Sequence, residues 1–264
     1  MPRLFLIDTD TASDDAVAII MAFRAPDVRV VAITTVAGNV PVEQATRNGM
    51  YVAELCGADV PVYSGCTGPM WRRYEDATWF HGQDGLGDQG YPPPNRSAET
   101  AHALEAIIAA VLSNPGIEIV TLGPLTNVAL ALKREPRIAT NVSRCVVMGG
   151  NPCCEGNVTP AAEYNIWVDP DAARIVVRSG LPIELVGWHL SRGEAVLNAN
   201  DIDKILRLDT PPARFAIDYN RIAKDAYSNK PARRGSAFPI RWRWQSHSIR
   251  RYAWTPAIIT LTWK

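Results

Sequence analysis

The sequence contains no Cys-x-x-Cys pair. Its five cysteines comprise the adjacent Cys153 and Cys154 and three scattered others. An odd, scattered set without such a pair argues against a zinc site or a disulfide framework, so the expected state is reduced, mostly buried thiols in a cytoplasmic protein. No apolar run is long enough to span a bilayer. Met1 to Asp10 carries one Arg, a short apolar run and then acids, without the h-region or small-residue cleavage site of a signal peptide. Net charge is also absent, with 27 Lys or Arg against 27 Asp or Glu. Nothing in that balance points to nucleic acid or an anionic membrane, and neither partner is expected.

What is present fits one large domain. The chain has 264 residues, 47% of them hydrophobic, enough for a sizeable single core. Short apolar runs at 4–7, 28–36, 60–63, 117–122, 145–148 and 183–186 predict strands. Stretches 16–23, 42–56, 101–113, 125–134 and 169–179 predict helices between them. Strands alternating with helices mean βαβ units, so the expected fold class is α/β: a single domain with a mainly parallel central sheet flanked by helices. Ligands of such sheets bind beyond the carboxyl ends of the strands. Four of these strands end in polar or Gly-rich turns that one pocket can collect: the acidic cluster, Ala37-Gly38-Asn39, Leu122-Gly123-Pro124 and Met148-Gly149-Gly150. The long Gly/Pro-rich, aromatic stretch from Cys66 to Arg96 is expected as a loop bordering that pocket.

The first of these turns carries the chemistry. Asp8, Asp10, Asp14 and Asp15 leave an apolar strand and open a helix. Carboxylates so close repel unless a cation sits among them, and hard oxygen donors favour calcium or magnesium. The bland alternative has two acids capping the helix and the others solvated. Asp8-Thr9-Asp10-Thr11 also fits the DxDxT of haloacid-dehalogenase-like phosphatases, whose first Asp accepts the phosphoryl group. No convincing partner for that motif follows: Gly87-Asp88 leads into Gln-Gly-Tyr-Pro rather than a strand and helix.

From about Leu4 to about Tyr227 the chain resembles the inosine-uridine type nucleoside hydrolases. Their opening DxDxxxDDxxA is met by Asp8, Asp10, Asp14, Asp15 and Ala18. Ala32 to Asn39 resembles their second motif, and His81-Gly82-Gln83-Asp84-Gly85-Leu86-Gly87 their H-G-x-D/E-G-x-G loop. Thr121 to Asn127, Val147 to Gly150, then Gly156-Asn157 and Ala162-Glu163-Tyr164-Asn165 follow in the family's order. Any one of these is weak; the ordered series is specific.

That resemblance implies calcium-dependent hydrolysis of the N-glycosidic bond of a purine or pyrimidine ribonucleoside, giving ribose and free base. It implies that Asp10, Asp15 and the backbone carbonyl of Leu122 bind the ion, which holds and activates a water. Asp14 contacts a ribose hydroxyl, Asp10 or a neighbour takes the water's proton, and Asp8 stands behind them. Asn39, Asn157, Glu163 and Asn165 match the family's ribose contacts, with turn residues as the alternative for Asn39 and Asn157. His81, in its Gly-rich loop, either faces the base as a third catalytic residue beside Asp10 and Asp14 or is structural. Tyr164 and Trp79 either stack on a base or pack in the core. His189 stands where the family has Asp, so no role carries over to it. A homodimer or homotetramer is implied by the family alone.

Acids disappear at the other end of the chain. Every Asp and Glu lies at or before Asp225, whereas Ala226 to Lys264 carry eight Lys or Arg. The resemblance implies an Asp-Pro segment here, whose Asp is a further calcium ligand and whose preceding residue, often His, helps protonate the base. Instead the chain reads Phe238-Pro239-Ile240-Arg241-Trp242-Arg243-Trp244. With suitable synonymous codons, Phe238 to Arg250 read two bases later gives Pro-Asp-Pro-Val-Ala-Met-Ala-Val-Ala-Leu-Asp-Pro, the segment that is missing. The expectation is therefore a hydrolase-like domain over 1–237 and an out-of-frame tail over 238–264, after a frameshift close before Phe238, leaving activity impaired or lost. A basic arm for nucleic acid, with Arg and Trp interleaved, is the alternative. The nucleotide sequence decides: codons that do not offer Pro-Asp-Pro in the shifted frame end the frameshift reading.

Overall fold

A computed structural model describes residues 2–191 and 197–219. The expected boundary at 237 and the tail beyond it lie outside these residues. Among the described residues no helix is long and apolar enough to cross a membrane.

Among the described residues six strands form one parallel sheet: β1 (Arg3–Thr9), β2 (Val28–Thr35), β3 (Val62–Ser64), β4 (Ile117–Thr121), β5 (Val142–Met148) and β6 (Ile183–Val186). Their order is β3-β2-β1-β4-β5-β6. β1 alternates Phe5 and Ile7 toward one core cluster with Leu6 toward the other, the period of two that a strand covered on both faces requires. On the first face lie α1 (Ser13–Arg24) and α2 (Val42–Leu55); on the second lie α4 (Ala103–Ser113), α5 (Thr126–Arg134) and α8 (Pro170–Val177). α3 (Thr78–His81), α6 (Ile138–Asn141) and α7 (Tyr164–Val168) are single turns. α9 (Ala199–Leu206) is followed by α10 (Pro211–Asp218), whose Phe215 packs in the first core.

The α/β expectation holds, and the predicted strands and helices lie where the apolar runs placed them. The differences are local. The helix expected from Asp169 starts at Pro170, because the Asp169 carboxylate caps it by accepting the Ala172 N–H at 3.0 Å. The stretch 66–96 is irregular apart from α3. The thiols are all free but not mostly buried: Cys145 is buried, Cys56, Cys66 and Cys154 are half-buried, and Cys153 is exposed.

Toward the amino ends of the strands, charges pair across the sheet. Arg3 on β1 grips both carboxylate oxygens of Glu118 on β4, at 2.8 and 2.6 Å. Arg144 on β5 bridges Glu118 at 3.1 Å and Glu184 on β6 at 3.2 Å. Among the described residues the acids at the carboxyl ends have no such partners. They lie where the order turns outward in both directions from the β1–β4 pair, the crevice in which open α/β sheets bind ligands.

Candidate active site

β1 ends at Thr9 and α1 begins at Ser13, leaving three residues for the turn. Thr11 takes a φ of 34°, in the left-handed region that a β-branched residue rarely enters. The tight turn puts four acids in two distinct settings. Asp8, still on the strand, is fully buried. One of its oxygens accepts from the Thr34 hydroxyl at 2.6 Å and the Asn127 amide at 2.8 Å. Burial pushes its carboxyl up from 3.8 to about 7.

Asp10 and Asp15 lie further along and are also buried. Asp10 Oδ2 accepts the Asn39 backbone N–H, while Oδ1 has no partner among the described residues. Asp15 Oδ2 accepts the Ala12 N–H at 3.2 Å, holding it in the first turn of α1. Burial raises the pKa of both, and their mutual repulsion raises Asp15 further. Two glycines close around Asp10. A Cβ on Gly38 would overlap its carboxylate, and one on Gly123 would lie 2.8 Å from its backbone nitrogen. The site is thus built to bring two strand-end loops directly against one carboxylate.

Asp14 points outward and is exposed. It faces His81, whose Nδ1 makes a short hydrogen bond with the Ser13 hydroxyl. Burial lowers the His81 pKa, against an opposing pull from Asp14. The loop carrying His81 therefore docks at the amino end of α1, beside the acids.

On the other side, Glu163 caps α7. Its oxygens accept N–H groups of Asn165 at 2.9 Å, Gly150 at 2.8 Å and Ile166 at 3.3 Å. Burial raises its pKa, and Asp10 contributes to the rise. Asn165 is buried and donates to the Leu122 carbonyl at 2.8 Å; its own Oδ1 has no partner among the described residues. Asn157 is exposed and accepts the Tyr164 N–H at 2.8 Å. Asn39 is half-buried beside Asp10. Tyr164 is no core filler: its hydroxyl lies 2.8 Å from the Gly38 carbonyl oxygen and 2.9 Å from that of Glu75. Trp79 is 63% exposed, which excludes the core alternative for it.

The candidate residues thus collect at one sheet edge. Asp10 sits with Asn39, Leu122 with Asn165 and Glu163, and Asp14 with His81. The buried carboxylates, the orphaned Asp10 oxygen and the Leu122 carbonyl are hard oxygen donors, a set that fits calcium or magnesium. Among the described residues no three His, Cys, Asp or Glu side chains form a complete metal cage. Sequence reasoning missed Asn127, which stands in a motif that was read for its backbone. Its amide donates to Asp8 and to the Thr35 carbonyl, both at 2.8 Å, and its Oδ1 accepts the Cys66 N–H at 2.9 Å. It also missed Asn48, which no motif marks.

The model of the inosine-uridine preferring nucleoside hydrolases matches residues 5–241. This chain belongs to that family. An uncharacterised protein of Schizosaccharomyces pombe is 44% identical over 184 residues, which are 69% of this chain and 59% of that protein. The inosine-uridine preferring nucleoside hydrolase of Leishmania major is 38% identical over 221 residues, 82% of this chain and 70% of that enzyme. The purine-preferring ribonucleoside hydrolase of Gardnerella vaginalis shares the fold at a TM-score of 0.81 and 33% identity, covering 86% of this chain and 73% of that one. The chain thus spans between about three fifths and three quarters of the length of these relatives.

Proposed function

We propose that this chain is built to hydrolyse the N-glycosidic bond of a purine or pyrimidine ribonucleoside with the help of a calcium ion. The observation that carries the reading is the Asp10 carboxylate, buried beside a second carboxylate and enclosed by Gly38 and Gly123, with one oxygen unpartnered. Asp10, Asp15 and the Leu122 carbonyl would hold the ion. When bound, it supplies a water of lowered pKa and a fixed point for ribose hydroxyls.

The chain's own groups do the rest. Asp10 takes the proton from the attacking water. Asp14, exposed at the start of α1, accepts from a ribose hydroxyl. Asn165 offers its unpartnered Oδ1 to the sugar, Asn157 its amide N–H groups and Asn39 its side chain. Three backbone N–H groups already occupy most of the Glu163 acceptor capacity, so its part is to accept one further hydroxyl while holding Asn165 in place. His81 Nδ1 is engaged by the Ser13 hydroxyl, which leaves Nε2 as the ring atom to offer a proton to the departing base. The same reading makes the enzyme a cytoplasmic homodimer or homotetramer.

The phosphatase alternative requires Asp8 as an accessible nucleophile. Full burial and two hydrogen bonds on one oxygen oppose that role. An inactive family member is the second reading, favoured by the incomplete metal set among the described residues. Incubating the protein with inosine, uridine and p-nitrophenyl phosphate, in calcium and in chelator, separates the three. Ribose release that needs calcium is expected. Phosphate release without ribose would restore the phosphatase, and a folded protein that releases neither would be the inactive member.

A further inference from the structure

Asn48 lies on α2 and is 3% exposed. Its amide nitrogen donates to two backbone carbonyls, Thr11 at 2.9 Å and Asp84 at 2.8 Å. Its oxygen accepts from the Gln44 amide at 2.9 Å. The two carbonyls belong to the two segments that must meet for the site to close. Thr11 is the strained residue of the turn between Asp10 and α1, and Asp84 lies in the loop that begins at His81. The same two segments are joined by the Ser13 N–H to the Gly85 carbonyl at 2.9 Å, and by Ser13 to His81. Gly85 permits the approach: its φ is 72°, and a Cβ there would come within 2.7 Å of Val40 and 3.3 Å of the Asn48 amide.

We propose that Asn48 is a positioning residue that registers the His81–Asp88 loop against the Thr11–Ser13 turn, so that His81 is held beside the sugar-binding acids as the base leaves. This rests on the base-side role of His81 proposed above. The chemistry demands an amide at this position. Both carbonyls need a donor, and an aspartate of the same size would present oxygens to both, leaving buried acceptors unpaired. A hydrophobic residue would fill the space without joining the segments.

The test uses Asn48→Asp, and Gly85→Ala as an independent lesion of the same contact. His81→Ala is the reference. Two quantities are read: amide hydrogen exchange along the chain, and turnover of inosine or uridine against p-nitrophenyl riboside, whose leaving group departs as a stable anion without being handed a proton. Expected are a rise of about tenfold or more in exchange confined to residues 81–88, and a loss on nucleosides at least about tenfold greater than on the aryl riboside, as for His81→Ala. Exchange that rises equally in β1 and β4, or equal losses on both substrates, would make Asn48 merely structural and overturn the proposal. If His81→Ala shifts the substrate ratio and neither other variant does, the Asn48 role alone fails. If His81→Ala leaves the ratio unchanged, the base-side reading of His81 fails and takes this proposal with it. In a chain that turns over neither substrate, exchange decides: a rise confined to the loop supports the registration, and any other pattern overturns it.

Discussion

Replacing Asp15 with Asn will stabilise the protein in chelator and destroy its response to calcium. Asp15 and Asp10 are buried together, and desolvation and repulsion both act against the charged pair. Asparagine keeps an oxygen to accept the Ala12 N–H, so the first turn of α1 retains its bond, while one of two opposing charges is removed. Melting in chelator should rise by roughly 2–4 °C for each kcal/mol of repulsion relieved. The parent protein should instead gain from calcium. A ligand at 100 times its Kd adds about 2.7 kcal/mol, and with few charged donors that Kd is expected around 10⁻⁴–10⁻³ M. In Asp15→Asn this gain should vanish, and calcium-dependent nucleoside hydrolysis should fall by ~10²–10³-fold or more. An Asp15→Asn protein that melts lower in chelator and still responds to calcium would remove the metal-holding role from this pair.

The same carboxylates set a pH dependence. Asp8 has a folded pKa of about 7 against an ordinary 3.8. Between those values the folded state binds more protons than the unfolded one, so stability falls as pH rises. At ~1.4 kcal/mol per pH unit, Asp8 alone costs the folded state up to ~4 kcal/mol above pH 7. Asp10 and Asp15 shift in the same direction. In chelator the protein should therefore melt highest near pH 4 and progressively lower toward pH 7, and calcium, held by Asp10 and Asp15, should offset part of the decline at the upper end. Melting curves across this range, with and without calcium, check the sign.

Gly38→Ala should cost nearly as much function through one methyl group. The new Cβ would overlap the Asp10 carboxylate and lie 2.7 Å from the Pro124 ring. Neither neighbour is the free end of a flexible side chain. Asp10 is held by the Asn39 N–H, and the Gly38 carbonyl by the Tyr164 and Tyr74 hydroxyls. Overpacking of this kind costs about 1–3 kcal/mol of stability. The displacement of Asp10 should lower calcium affinity and turnover by about 10²-fold, since misplacement on the order of 1 Å has that effect at a reacting centre. Gly68→Ala is the control, because its nearest outside atom, the Tyr74 Cβ, lies at an ordinary 3.4 Å. Calcium titration and nucleoside assays on both variants check this; wild-type behaviour in Gly38→Ala would show that the enclosure of Asp10 has no part in function.

The sequence by itself determined the alternation of strands and helices, because the signals are local. Apolar runs such as 117–121 and 183–186 declare strands, and Asp169-Pro170 declares a helix start within one residue of where it lies. It also determined that Asp8, Asp10, Asp14 and Asp15 share a strand end, and which family their spacing resembles. The short helices α3, α6 and α7 escaped it because four or five residues carry too little periodicity to read, and α9 and α10, eight residues each, escaped it as well. Tertiary structure alone decided how the four acids divide: Asp8 locked behind the site, Asp10 and Asp15 buried as a pair, Asp14 turned outward to His81. It decided that Glu163 caps a helix as well as facing Asp10. It brought in Asn127 and Asn48, whose partners lie up to 119 and 37 residues away. An amide's role is set by the carbonyls and carboxylates that the fold delivers to it, and no local pattern records which distant strand ends will meet.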